Sequence, residues 1–209
     1  MVELSVFFPR LIPTVMGVSE PLAQQALIDS AILFCDQSLA VTAALDAITV
    51  PIGTSAIELE APDQTTIAQI LHVWFDKQLL NAAPYGQMTN IFRQDGQPVD
   101  YTIEYIDEVA NLMLYPAPDK KVDNGLLVRA ALRPSRSATK VHNILYERYV
   151  EAIVAGAQMY LHNMPDQPWT NPTRAQQCGI LARALANRAR ADMMMGRAQS
   201  SMTAQMQEF

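Results

Sequence analysis

Histidine, cysteine and glycine are scarce in this chain, and each scarcity removes a class of chemistry. The 209 residues include three His, two Cys and eight Gly. His142 and His162 fall at the two ends of one helical pattern, about 30 Å apart along the axis at ~1.5 Å per residue, too far to share a metal ion. His72 lies beside Val73, Trp74 and Phe75, a packing position. Neither C-x-x-C nor H-E-x-x-H occurs, so the usual zinc spacings are absent. Cys35 and Cys178 are distant in sequence and sit on apolar helical stretches, which predicts two buried free thiols rather than a disulfide. The glycines are dispersed singly, with no G-x-G-x-x-G and no G-x-x-x-x-G-K to bring backbone N–H groups onto a phosphate. Gly17-Val18-Ser19-Glu20-Pro21 matches half of a nucleophile elbow, but proline stands where the last glycine is needed, so Ser19 reads as a helix cap. The expectation is a chain that is not an enzyme, with no cofactor and no metal.

Charge and long apolar runs are also in short supply. Charged residues make up 17% of the chain, against ~25% in an average globular domain. That fits a surface covered in part by neighbouring subunits. No uncharged apolar stretch reaches the ~18 residues of a membrane span. Pro9, Arg10 and Pro13 interrupt the start of the chain, a pattern unlike a signal peptide. A soluble protein made in a cytoplasm is expected.

What the chain has in quantity is apolar side chains, 50% of the total, enough to bury a real core. The net charge is −6, which argues against a general attraction to nucleic acid. The balance is uneven. From residue 174 on, five Arg face only Asp192 and Glu208, a net +3, while the first 173 residues carry ten basic and nineteen acidic side chains, a net −9.

The pattern along the chain divides it. Residues 1–18 form an arm broken by Pro9, Pro13 and Gly17. A helix over Ser19–Ser38 has Ser19 at its cap, Pro21 in its first turn, and Ala23, Leu27, Ala31 and Phe34 on one face. Residues 40–134 are rich in Val, Ile, Thr and Tyr with turn signals at short intervals. Strands are predicted at Leu45–Pro51, Ala56–Ala61, Ile67–Phe75, Tyr101–Ile106, Leu112–Tyr115 and Leu126–Leu132, with a long loop over Asn81–Pro98. A second helix is predicted from His142 to His162, where Ala152 and Gly156 are small enough to admit another helix. Pro165 and Pro168 stop it. A third starts at Asn171-Pro172 and runs to Gly196, with Cys178, Leu181, Leu185, Ala189 and Asp192 on its inner seam. The predicted fold class is α+β: a three-helix base, one helix N-terminal and two C-terminal, with an inserted antiparallel β domain. The domains are an arm at 1–18, a helical domain from 19–39 and 135–197, the insert at 40–134 and a flexible tail at 198–209. Parts of the arm, Asn81–Pro98 and the tail are expected to order only on binding.

Two polar constellations stand out. Glu58 and Glu60 point to one face of a strand, which suits either acid/base chemistry or a charged edge strand. Arg183, Arg190 and Arg197 recur every seven residues with Asn187 between, lining one side of the last helix. Arginine forks bind carboxylates and phosphates bidentately. The stripe can dock onto an acidic protein, face DNA phosphates, or be a solvated face.

The order of these segments resembles a known family. A capped helix opens with Ser19-Glu20-Pro21-Leu22-Ala23-Gln24-Gln25-Ala26-Leu27. The insert ends in Leu112-Met113-Leu114-Tyr115-Pro116-Ala117-Pro118. Val128-Arg129-Ala130-Ala131-Leu132-Arg133-Pro134-Ser135 follows, then Leu145-Tyr146-Glu147-Arg148-Tyr149-Val150-Glu151-Ala152-Ile153, Pro168-Trp169 and a basic Ala-rich helix. This resembles the head-to-tail adaptor (connector) proteins of short-tailed phages, chiefly over 19–38 and 112–197. The resemblance implies a virion structural protein of the neck, assembled in the host cytoplasm as a ring, commonly of twelve subunits, beneath the portal protein. It implies a tail nozzle or tube protein as the next partner, and a channel that passes DNA without reading its sequence. Carried over by position, Arg183, Asn187, Arg190 and Arg197 would contact the portal or a neighbour, and Tyr146, Glu147 and Arg148 would organise the second helix against its neighbours. Another phage neck or tail-completion protein, or a small-molecule site between helices and sheet, are the alternatives.

Overall fold

The computed structural model describes residues 1–84, 96–106 and 109–196. Its arm is not a loose leader. Val2–Glu3 (β1) leads into a 3₁₀ turn at Leu4–Phe7, a single helical turn at Phe8–Leu11 (α1) and a second 3₁₀ turn at Ile12–Thr14. Pro9 and Pro13 each fall in a first turn, where proline costs no hydrogen bond. Phe7, Leu11 and Val15 are completely buried, and burying such side chains stabilises by ~1.5–3 kcal/mol each before ordering entropy. The arm, expected in part to order only on binding, is thus tied into the core by Phe7, Leu11 and Val15, which recur every four residues, while Ile12 and Met16 are exposed.

The first long helix, Glu20–Ser38 (α2), follows as expected. Ser19 has the extended backbone of a cap residue, but its side chain makes no capping bond. The helix ends at Leu39, whose φ of 51° is left-handed and whose N–H reaches the Cys35 carbonyl. That conformation costs a non-glycine residue ~1–2 kcal/mol, offset here by complete burial of the leucine side chain.

Two sheets follow. One holds Thr42–Ala44 (β2) and Ile48–Val50 (β3), both paired with a long later strand. The other begins with Ala56–Leu59 (β4) as its edge. The strand Thr65–Phe75 (β5) is followed by two-residue strands at Gln78–Leu79 (β6) and Asn81–Ala82 (β7). Then come Asp100–Ile106 (β8), Val109–Tyr115 (β9) and Val122–Pro134 (β10). The first sheet runs β2-β10-β5-β6, with β3 on β10; the second runs β4-β9-β8-β7. Among the described strands pairing is antiparallel except for β7 beside β8, which is parallel, as is the isolated bridge from Gly96 to Pro118. The expected long loop at Asn81–Pro98 thus contains a short strand and a bridge from Gly96 to Pro118; its residues 85–95 lie outside those described.

Strand β5 does not alternate. Ile67, Ile70 and Val73 are buried while Thr66, Gln69 and His72 are exposed, a period of three. The register explains it: Arg129 pairs His72 but Ala130 pairs Ile70, and Ala131 pairs Gln69 but Leu132 pairs Ile67. Leu71 and Ala68 are each the extra residue of a β-bulge, which turns the following side chain back toward the core.

After a short strand at Lys140–Val141 (β11), paired with β1, the predicted second helix comes as two pieces: Asn143–Glu147 (α3) and Val150–His162 (α4). No Pro or Gly lies at the break. Tyr149 leaves the helical region, with φ −121° and ψ 16°. The rings on either side are anchored on different partners, Tyr146 edge-on to Phe7 at 5.3 Å and Tyr149 on Phe34 at 4.9 Å. Tertiary packing here overrides local propensity. The last helix, Pro172–Met194 (α5), is capped by Asn171, whose side chain accepts from the Arg174 N–H at 3.0 Å.

Helices α2, α4 and α5 contact one another pairwise, so segments from both ends of the chain lie side by side. Helices α2 and α4 approach closely at Gly156 of α4, where an added Cβ would lie 2.2 Å from Ser30 Oγ. Ser30 is itself fixed, donating a buried bond to the Ile153 carbonyl at 2.7 Å. One continuous apolar cluster runs from the arm through α2 and both sheets to α4 and α5. The fold class is α+β, with the β region between the first and last helices in sequence. Among the described residues no helix is long and apolar enough to cross a membrane.

Candidate interaction surface

Helix α5 carries most of the residues singled out from sequence, and it is packed in an unusual sense. Its buried positions are small: Ala175, Cys178, Ala186 and Ala189. Large apolar side chains point outward, with Ile180 65% and Met194 73% exposed, and Leu181 and Met195 also out. Two of the five expected seam residues, Leu181 and Asp192, are therefore on the outside. Close packing against α4 accounts for the inversion. Gly179 faces Met159 so tightly that an added Cβ would lie 2.9 Å from its sulfur. A helix drawn in this close has room for alanine, not leucine, on its inner side.

The arginine stripe divides. Arg183 and Asn187 are exposed. Arg190 is half-buried and turns inward, its guanidinium donating to the Gln37 carbonyl at 3.4 Å. That carbonyl belongs to the last turn of α2, where orphan acceptors and the helix dipole favour a cation. Arg190 thus serves the fold within one chain. Arg197 lies outside the described residues. Arg188, not singled out from sequence, joins Arg183 on the exposed side. Among the described residues neither has an acidic partner within salt-bridge distance.

The second group also separates. Tyr146 packs half-buried on Phe7 of its own arm, while Glu147 and Arg148 are exposed at the break before α4. Trp169 packs at the edge of the core, next to Gly17, and anchors the connection between α4 and α5. Its carbonyl meets Nδ1 of the buried His162 at 2.7 Å. His142 caps α3, its Nδ1 accepting from the Ile144 N–H at 3.3 Å. Burial lowers the His142 pKa from its ordinary value of 6.5; the chain N-terminus lowers it further and Glu147 opposes.

On a different surface, an open cleft of about 840 Å³ lies between the second sheet and the β5 and β10 strands of the first, beside Ile32 of α2. Its floor includes the buried Leu59, Ile67, Ala110 and Pro134; Glu58 of the edge strand β4 and Glu60, just past its end, line it and are exposed. Arg133 and Arg136 also line it. Both are already engaged by α2: Arg133 grips the Asp36 carboxylate at 3.0 and 3.3 Å and reaches Thr66 Oγ1 at 3.2 Å, and Arg136 lies 3.7 Å from Asp29. The sequence put Glu58 and Glu60 on one face, but only the tertiary fold brings residues 133–137 opposite them.

The two cysteines are free and buried. Burial, with help from Asp36 and against the pull of Arg133, pushes the Cys35 thiol up to about 12. Burial also raises Cys178, opposed by Arg174. Neither is available as a thiolate nucleophile near neutral pH. Among the described residues no group of three or more His, Cys, Asp or Glu could hold a metal ion. The chain matches no protein-family model and no curated protein.

Proposed function

We propose that the chain is a structural subunit of a phage neck: a head-to-tail adaptor that forms a ring below the portal, joins it to the tail, and lets DNA pass without reading its sequence. The observation that carries this proposal is the outer side of α5, where the exposed Ile180 and Leu181 near its start and Met194 and Met195 at its end flank the exposed Arg183 and Arg188. Large exposed apolar side chains grouped on one helix mark a surface that another protein covers. Arginine is among the residues that dominate such interfaces. The segment order that resembles the adaptor family supplies the specific assignment. The low charge fraction and acidic body suit a subunit that meets protein on most sides.

A catalytic or small-ligand role would fall to the cleft. Its carboxylates and Arg136 are exposed to solvent, whereas chemistry and tight small-molecule binding both favour enclosure. The cleft therefore suits a protein partner better. Native mass spectrometry of the chain with portal rings tests the assignment. Defined chain–portal complexes at micromolar concentration are expected, and failure to form any would refute it. Contact with the tail tube alone would point instead to a tail-completion protein.

A further inference from the structure

We infer that the outer face of α5 on one subunit docks into the Glu58–Glu60 cleft of a second copy of the same chain. The inference rests on the reading of the chain as an assembly subunit, and names the partner of the α5 surface. The two surfaces match in chemistry. Helix α5 offers exposed apolar side chains near its start, Ile180 and Leu181, and at its end, Met194 and Met195, with the exposed Arg183 and Arg188 between them. The cleft offers a floor of buried apolar side chains and the exposed Tyr105, bordered by Glu58 and Glu60. Charge decides the direction. Among the described residues that line the cleft, Arg133 is held by Asp36 at 3.0 Å and the exposed Arg136 lies 3.7 Å from Asp29, so that with these pairs counted the two glutamates are the surplus charge. Among the described residues Arg183 and Arg188 make no salt bridge, and Asp192, one turn beyond Arg188, is the single acid on α5, so the surplus on that helix is positive. An extended ridge meeting a concave surface of opposite sign is what steers and orients association. Because the two surfaces are different patches of one chain, the contact is head-to-tail. Repetition then closes into a ring if the rotation per step allows, or runs on as a filament.

The test uses two charge-reversed full-length chains, one with Arg183→Glu and Arg188→Glu, the other with Glu58→Arg and Glu60→Arg. All four side chains are exposed, so both proteins should keep the unmodified circular dichroism spectrum and melting behaviour. Sedimentation velocity at high micromolar concentration reads self-association. The unmodified chain should associate reversibly, and each variant alone should associate about tenfold or more weakly, since like charges then meet. Mixing the two variants should restore association. One contact then has glutamates on the helix and arginines in the cleft, and the other is the native pair. No association of the unmodified chain, variants that associate as it does, or a mixture no better than its parts would each overturn the inference. Portal complexes that form while the mixture fails would overturn the docking mode and leave the proposed function standing.

Discussion

Replacing Gly156 by alanine should destabilise the protein, although alanine is the better helix former. On propensity alone the change would add ~1 kcal/mol to α4. The new methyl, however, would lie 2.2 Å from Ser30 Oγ and 3.1 Å from Ser30 Cβ. Relief requires Ser30 to move, which breaks its 2.7 Å bond to the Ile153 carbonyl in a buried setting. Losing that bond costs ~1–3 kcal/mol, and overpacking a tight core costs ~1–3 kcal/mol more. The net expectation is a loss of about 1–5 kcal/mol in urea denaturation, with an unchanged m-value. Ser30→Ala removes the hydroxyl that the methyl would strike. In that background Gly156→Ala should cost far less, and the double-mutant cycle should show a coupling of ~1–3 kcal/mol. The two residues are 126 positions apart, so the coupling reports directly on whether the N-terminal helix meets the C-terminal ones. A stabilising Gly156→Ala with no coupling to Ser30 would refute the packing described here.

Other outcomes follow from the same structure. Arg190→Ala should lower stability by ~0.5–1 kcal/mol in chemical denaturation, because it uncaps the end of α2, while Arg183→Ala should change it by less than ~0.5 kcal/mol. His142 has a folded pKa below its ordinary 6.5, so its contribution is present above pH 6.5 and is lost as pH falls through the folded value, when Nδ1 gains a proton and can no longer accept from Ile144. Thermal melts from pH 7.5 to 5 should show a loss that His142→Asn, which can cap without titrating, reduces. Cys35 should resist thiol reagents in the native state at pH 8 and react only at the rate of unfolding, which labelling at increasing urea would reveal.

The helices were legible because their signals are local. The cap position at Ser19, the Asn171-Pro172 start of α5, and the small residues Ala152 and Gly156 all come from short-range patterns. What escaped was set by tertiary contact. The bulges at Ala68 and Leu71 change β5 from a two-residue to a three-residue period, and nothing in Thr-Thr-Ile-Ala-Gln-Ile marks where they fall. The break before α4 comes from two tyrosines seeking different aromatic partners. Reading the seam of α5 by hydrophobicity placed Leu181 inside, although the string Ala175, Ala182, Ala186 and Ala189 was a visible sign of a close-packed small-residue face. Arg190 was recognised as important, but its partner is a carbonyl of its own chain, and no spacing rule could have found Gln37. The cleft was half visible: Glu58 and Glu60 share a face by simple alternation, while the opposite side depends on how the end of β10 meets α2.

Electron cryomicroscopy of phage particles assembled in cells that produce this chain tests the proposed neck role most directly. The chain should appear as a closed ring of many copies at the neck, with the outer face of α5 covered by protein. Particles that lack it, or a neck in which Ile180 and Met194 face open solvent, would contradict the account.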